Sequence, residues 1–130
     1  MSDIGSRILI VDDEPPLLRM MSLYLERKGY SVTVAGSAAK ARSELAAAPG
    51  TYVVVVLDAT LPGTTLTEFA AEILASEPGA RILAASGYPV DMSGLEAAAP
   101  GRVAFLHKPF SPEMLATVVR RLLGEKEESL

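Results

Sequence analysis

Four places along the chain carry residue types that can do chemistry, and each stands directly behind an apolar run. Asp12, Asp13 and Glu14 follow the run 7–11, and Asp58 follows 53–57. Ser86 follows 81–85, and Lys108, Pro109 and Phe110 come just after 103–106. Singly, each has an ordinary structural use: Asp13 as a helix cap, Ser86 as a turn residue, Lys108 as a solvated charge. Their arrival together behind four apolar runs is not explained that way. Two unit charges about 4 Å apart interact by about 4 kcal/mol at an effective dielectric near 20, so clustered carboxylates repel strongly. Asp12, Asp13 and Asp58 with Lys108 sum to −2, a charge that one divalent cation neutralises. Hard oxygen ligands, few carboxylates and retained waters describe a Mg²⁺ site that also takes a phosphate group. Phosphoryl transfer needs an in-line nucleophile and positive charge around the equatorial oxygens. Asp58 can be that nucleophile, since carboxylates form aspartyl phosphates. The cation, Lys108 and the Ser86 hydroxyl can hold the oxygens.

Such a site needs strands that end together. Arg7–Val11 is continuously apolar, as a strand buried on both faces should be. Pro15 and Pro16 suit the first turn of a helix whose Leu17, Leu18, Met21, Tyr24 and Leu25 recur at helical spacing, with Gly29 as the stop. Ser31–Ala35 alternates and reads as a half-exposed strand, and Ser37 caps an alanine-rich helix running to about Ala48. The rhythm repeats with a strand at 53–57, a helix at 66–75 and a strand at 81–85. A short helix at 94–99, a strand at 103–106 and a helix beginning at Pro112 complete it. That last helix should turn Leu115, Val118, Val119 and Leu122 to one face.

Five βα units predict an α/β fold with a parallel sheet and helices on both faces. A half-exposed second strand belongs at an edge, which selects the flavodoxin-like (βα)5 doubly wound order 2-1-3-4-5. Ligands bind such sheets at the carboxyl ends beside the switch point, here between strands one and three.

Composition narrows the classes further. The 130 residues suit one domain, with a tail at 1–6, the domain at 7–123 and a charged tail at 124–130. Hydrophobic residues make up 49% and charged residues 22%, which excludes disorder of the bulk. No apolar run approaches the ~18 residues of a membrane span, and the first residues show no secretory pattern, so a cytoplasmic location is expected. A net charge of −4 argues against non-specific nucleic-acid binding. With no cysteine, disulfides, thiolate metal sites and thiol nucleophiles are excluded.

The motifs Ile-Val-Asp12-Asp13-Glu14, Val-Leu57-Asp58-Ala-Thr-Leu-Pro62, Ala-Ala-Ser86-Gly87 and Lys108-Pro109-Phe110 resemble the receiver domain of two-component response regulators. The resemblance runs from Arg7 to about Leu123. It implies a phosphorelay domain, not an enzyme in its own right, that accepts a phosphoryl group from a sensor histidine kinase or phosphotransfer protein and then changes its surface. Asp58 is then the phosphoacceptor. Asp13 is the direct magnesium ligand and Asp12 the more indirect one, with Asp58 and the Thr60 backbone carbonyl completing the set. Ser86 is the switch hydroxyl, Lys108 the phosphate-contacting lysine and Phe105 the switch aromatic. The resemblance also implies a cis Lys108–Pro109 bond. It places Thr60 and Tyr88 where hydrolysis of the phosphoryl group is tuned, and neither is a carboxylate or amide able to orient water, so hydrolysis slower than with an amide at position 60 and a small or acidic residue at position 88 is expected. A homodimer through the fourth helix, fifth strand and fifth helix stays open, as does membership of a hybrid kinase or larger regulator. The pattern departs at Leu66, where the family commonly has glycine, at Thr67, usually apolar, and at Gly87, commonly alanine; the first two leave the start of the third helix open.

Three rivals are weaker. A magnesium phosphatase with an aspartyl nucleophile usually places a second acid two residues on, where this chain has Thr60. A flavodoxin-like cofactor binder needs a phosphate-cradling loop after strand one, where Asp12-Asp13-Glu14-Pro15-Pro16 repels phosphate unless a metal intervenes. A degenerate receiver would be missing an acid, and none is missing. His107, the only histidine, falls in a short strand, whereas a phosphotransfer histidine is expected on an exposed helix.

Overall fold

A computed structural model describes residues 6–124. The expected tails at 1–6 and 124–130 therefore lie, but for Ser6 and Gly124, outside the described residues. Strand β1, Arg7–Val11, is buried from Ile8 onward. Its side chains alternate between two cores, Ile8 and Ile10 on one face, Leu9 and Val11 on the other. That two-sided burial is why the run is apolar throughout rather than alternating.

Helix α1, Pro15–Arg27, opens on its two prolines and buries Met21 and Leu25. Strand β2, Ser31–Ala35, pairs only with β1 among the described residues, and Val34 is 40% exposed, as an edge position allows. Helix α2, Ala38–Ala47, starts at Ser37, whose hydroxyl accepts from the Lys40 N–H at 3.1 Å. Then follow β3, Tyr52–Asp58, α3, Leu66–Ser76, β4, Arg81–Ser86, α4, Ser93–Ala98, β5, Val103–His107, and α5, Pro112–Leu122. The sheet is parallel in the order β2-β1-β3-β4-β5, the flavodoxin-like order expected from the sequence. Helices α1 and α5 cover the Ile8, Ile10 and Val54 face, and α2, α3 and α4 cover the face of Leu9, Val55 and Leu57. Each aliphatic side chain fully buried in these layers contributes about 1.5–3 kcal/mol. That sum is large enough to offset the burial of a few charged groups at the rim.

Three local differences from the sequence reading have plain causes. Strands β3, β4 and β5 each end one residue later, because Asp58 pairs with Ala85 and Ser86 with His107, and β3 also begins one residue earlier, at Tyr52. Helix α4 begins and ends one residue earlier than expected. On α5 the buried stripe is Leu115, Ala116, Val119 and Leu122, with Val118 only partly buried at its margin. At the departure from the family pattern, Gly63 takes φ 83° and makes the turn. Thr65 then caps α3 by accepting from the Glu68 N–H, and Leu66 joins the core. Helix α3 thus starts without a glycine at position 66.

Candidate functional site

The pairing register sets the ends of the inner strands side by side. Val11 lies opposite Leu57, Asp58 opposite Ala85, and Ser86 opposite His107. Asp12, one residue beyond β1, and Asp58, the last of β3, are 2% and 3% exposed, whereas Asp13 is exposed. Carboxylate oxygens of Asp12, Asp13 and Asp58 lie within 4.8 Å of one another. Asp12 is held by two donors, the Glu14 N–H on Oδ1 at 3.0 Å and Lys108 Nζ on Oδ2 at 3.2 Å. The same ammonium donates to Asp58 Oδ1 at 3.1 Å and stands 3.9 Å from Glu14 Oε1. Lys108 reaches this point because its N–H bonds to the Ser86 carbonyl at 2.7 Å, and the Lys108–Pro109 bond is cis, as expected.

The charges perturb one another in the direction that burial and repulsion demand. Burial raises the Asp12 carboxyl above its ordinary 3.8; the bond from Glu14 opposes this, the Asp58 charge adds to it, and Lys108 opposes it again. Burial pulls the Lys108 ammonium down, but its bond to Asp58 and the charges of both acids outweigh that and hold it above 10.5. A raised Asp12 means the folded state keeps a proton where the unfolded chain has released it. In chelator-treated protein, Asp12's contribution to stability should therefore fall as pH rises from 3.8 through the raised value. Denaturant curves across that range should show this slope in the wild type and lose it in Asp12→Asn. An identical slope in the two proteins would contradict the assignment.

The other expected site residues sit as follows. Ser86 is buried at the end of β4, but its hydroxyl is engaged with Tyr88, donating to the carbonyl at 2.8 Å and accepting from the N–H at 3.1 Å. Phe105 is partly buried against the α2–α3–α4 core and meets the exposed His107 edge-on, ring centres 6.5 Å apart. Tyr88 is half exposed and lines a groove of 370 Å³ with Ala59, Thr60, Thr64 and Val90. A second groove, of 440 Å³, borders the site on its other side, between Glu14, Leu17, Gly87, Lys108 and Phe110.

One contribution was not foreseen. Thr60, expected to offer its carbonyl to the metal and its side chain to the tuning of hydrolysis, also donates its hydroxyl to Asp58 Oδ2 at 2.9 Å. The available signal was a threonine two residues after an acid, the reach of a short side-chain turn. Glu14, noted with Asp12 and Asp13 behind the first strand, adds a fourth carboxylate at the rim, 3.9 Å from the Lys108 ammonium. The donor set suits a hard divalent cation: three carboxylates close together, two nearly buried, with a lysine bridging those two.

Comparison with known proteins agrees with this arrangement. The family model for the response regulator receiver domain matches residues 8–120. Among curated proteins, the chain is 34% identical over 129 residues to the uncharacterized transcriptional regulatory protein YkoG of Bacillus subtilis, covering 95% of this chain and 54% of that protein. It is 30% identical over 123 residues to the sensor kinase CckA of Brucella abortus, covering 95% of this chain but 13% of that protein. Thus it spans about half or less of these relatives. Among solved structures, response regulator protein TrrA of Thermotoga maritima, in complex with Mg(2+)-BeF, superposes with a TM-score of 0.75 at 30% identity, covering 90% of this chain and 98% of that one. Chemotaxis protein CheY4 of Vibrio cholerae gives 0.76 at 27% identity, covering 91% and 98%. No helix among the described residues is long and apolar enough to cross a membrane.

Proposed function

The chain belongs to the response regulator receiver domain family, and from that premise we propose that it accepts a phosphoryl group on Asp58 from a histidine kinase or phosphotransfer protein. Receiver domains of this family are signalling domains rather than classical enzymes. The observation that carries the reading is the single ammonium of Lys108 held between Asp12 and Asp58. That geometry presents a carboxylate nucleophile with a fixed positive charge beside it, where the oxygens of a transferring phosphoryl group would arrive. Mg²⁺, bound by Asp12, Asp13, Asp58 and the Thr60 carbonyl, would supply the remaining positive charge.

The chain's own residues then divide the work. Asp58 attacks phosphorus in line as the P–N bond to the donor's histidine breaks and the imidazole departs with the electron pair. Lys108 shifts from the carboxylate to a phosphoryl oxygen. The Ser86 hydroxyl exchanges its bond to the Tyr88 carbonyl for another phosphoryl oxygen, which draws the loop after β4 toward the site. Phe105 turns into the space so opened, and the surface of α4, β5 and α5 changes. The phosphate thereby biases a two-state element.

Beryllofluoride with Mg²⁺ tests this switch without any kinase. Backbone amide shifts are expected in the Asp58 and Ser86 loops and also across 93–122. Shifts confined to the loops around Asp12, Asp58 and Lys108 would overturn the proposed coupling.

A further inference from the structure

The outer edge of the sheet at β2 is left open. Among the described residues β2 pairs with β1 alone, in unbroken register from Arg7 with Ser31 to Val11 with Ala35. The Ser31 N–H donates to the Ser6 carbonyl at 2.9 Å, and the Ala35 carbonyl accepts from the Asp12 N–H at 3.1 Å. Alternate residues of a parallel ladder face away from it, so Val32 and Val34 turn their N–H and C=O groups outward. Natural sheets usually guard such an edge with a charge, a proline or a bulge. The segment Ser31–Ala35 carries none of these. Val34 is instead 40% exposed and lines a groove of 310 Å³ with Pro15, Leu18, Arg19 and Ser22 of α1.

We propose that this edge pairs with the same edge of a second copy of the chain, antiparallel about a two-fold axis through Thr33, so that two five-stranded sheets become one. The axis sets Val32 opposite Val34 of the second copy, and Val34 opposite Val32. Each such pair exchanges two hydrogen bonds, which satisfies the outward N–H and C=O groups of both valines. Val32 and Val34 share the α1 face, so Val32 of the second copy arrives beside the groove at Val34. Charge favours a second copy as the occupant. Arg19, Ser22 and Glu26 share one flank of α1 at helical spacing; Arg19 and Glu26 are exposed, and Ser22 lies between them. The axis lays the two α1 helices antiparallel, which sets Arg19 against Glu26 of the second copy and the reverse, with the small Ser22 at the centre. On the other face Arg42 of α2 turns to Glu72 of α3, so the outer flank of α2 carries the Lys40–Glu44 pair, whose reversed copy is complementary too. Exposed ion pairs add little strength, but they fix orientation and exclude a like-charged register. The interface is isologous and closed, so assembly stops at a dimer. It lies at the opposite edge of the sheet from β5, leaves the surface of α4, β5 and α5 clear, and does not depend on which residue accepts phosphate.

The chain has no cysteine, so Thr33→Cys places a single thiol on the axis. Opposed residues there lie about 4.5 Å apart, within reach of a disulfide. Met114→Cys places the thiol on α5 instead, at a side chain 48% exposed. After mild oxidation, a non-reducing gel should show most of Thr33→Cys as a dimer and little of Met114→Cys. Cross-linking of neither, of both equally, or of Met114→Cys alone would overturn the proposal. Sedimentation of the full chain over a concentration series tests the same edge without a cross-link. Wild type should dimerise, and Val34→Lys, a charge at an exposed edge position, should weaken the dimer by about tenfold or more. Arg19→Glu should weaken it by about three- to tenfold, and adding Glu26→Arg to that variant should restore it. A wild type monomeric at every concentration, a Val34→Lys that dimerises as tightly as wild type, or no recovery in the double exchange would likewise overturn the proposal.

Discussion

Replacing Lys108 by methionine is expected to destabilise the metal-free protein by about 2–3 kcal/mol, and Mg²⁺ should restore most of the loss. Lys108 is the cation bonded to two nearly buried carboxylates, Asp12 and Asp58, and methionine keeps its length while removing its charge. Removing one partner of a buried ion pair typically costs 3–5 kcal/mol, because the other charge is left uncompensated. The lysine side chain here is 21% exposed, so solvent screens part of the interaction and the lower figure applies. A divalent cation among Asp12, Asp13 and Asp58 supplies the missing charge, and for that reason the deficit should shrink as Mg²⁺ is added. The pH dependence has a definite sign. Lys108 is held above 10.5 in the folded state, so its contribution is complete below 10.5 and lost as pH rises through the raised value. Wild type and variant should therefore converge in strong alkali. Denaturant curves with chelator and with Mg²⁺ read both effects. Equal stability of the two proteins in chelator at neutral pH would show that the ammonium is not what balances the acids.

The strands were legible because burial on both faces demands unbroken apolar runs, and β1, β3 and β4 are such runs. The edge position of β2 was legible from Val32 and Val34 alternating with Ser31 and Thr33. Convergence of Asp12, Asp58, Ser86 and Lys108 followed from strand ends alone, since a parallel sheet sets its carboxyl ends along one rim. Side-chain partners were not legible, because they depend on loop geometry finer than a strand end. The Thr60 hydroxyl on Asp58 and the Ser86 hydroxyl on Tyr88 belong to that class. So does Arg102, whose guanidinium donates to the carbonyls of Leu74, Glu77 and Ala80 and ties the start of β5 to the end of α3. A lone arginine between Gly101 and Val103 gives no sign of such a role. The start of α3 at Leu66 was read correctly from the sequence, but the turn that leads into it was not: Gly63 makes it, three residues before the position where the family pattern directs attention.

Loss of phosphorylation in Asp58→Asn is the largest effect expected of any substitution, and it tests the central claim most directly. An amide at position 58 keeps the size and the neighbours of the carboxylate but is a far poorer nucleophile toward phosphorus. It also removes one charge from a cluster that sums to −2, so the folded protein should tolerate the change. Intact-protein mass after incubation with acetyl phosphate should show one added phosphoryl group on the wild type in Mg²⁺ and none in chelator. The same measurement on Asp58→Asn should show none under either condition. An equal mass increase in Asp58→Asn, or a wild type modified as readily in chelator as in Mg²⁺, would contradict the account.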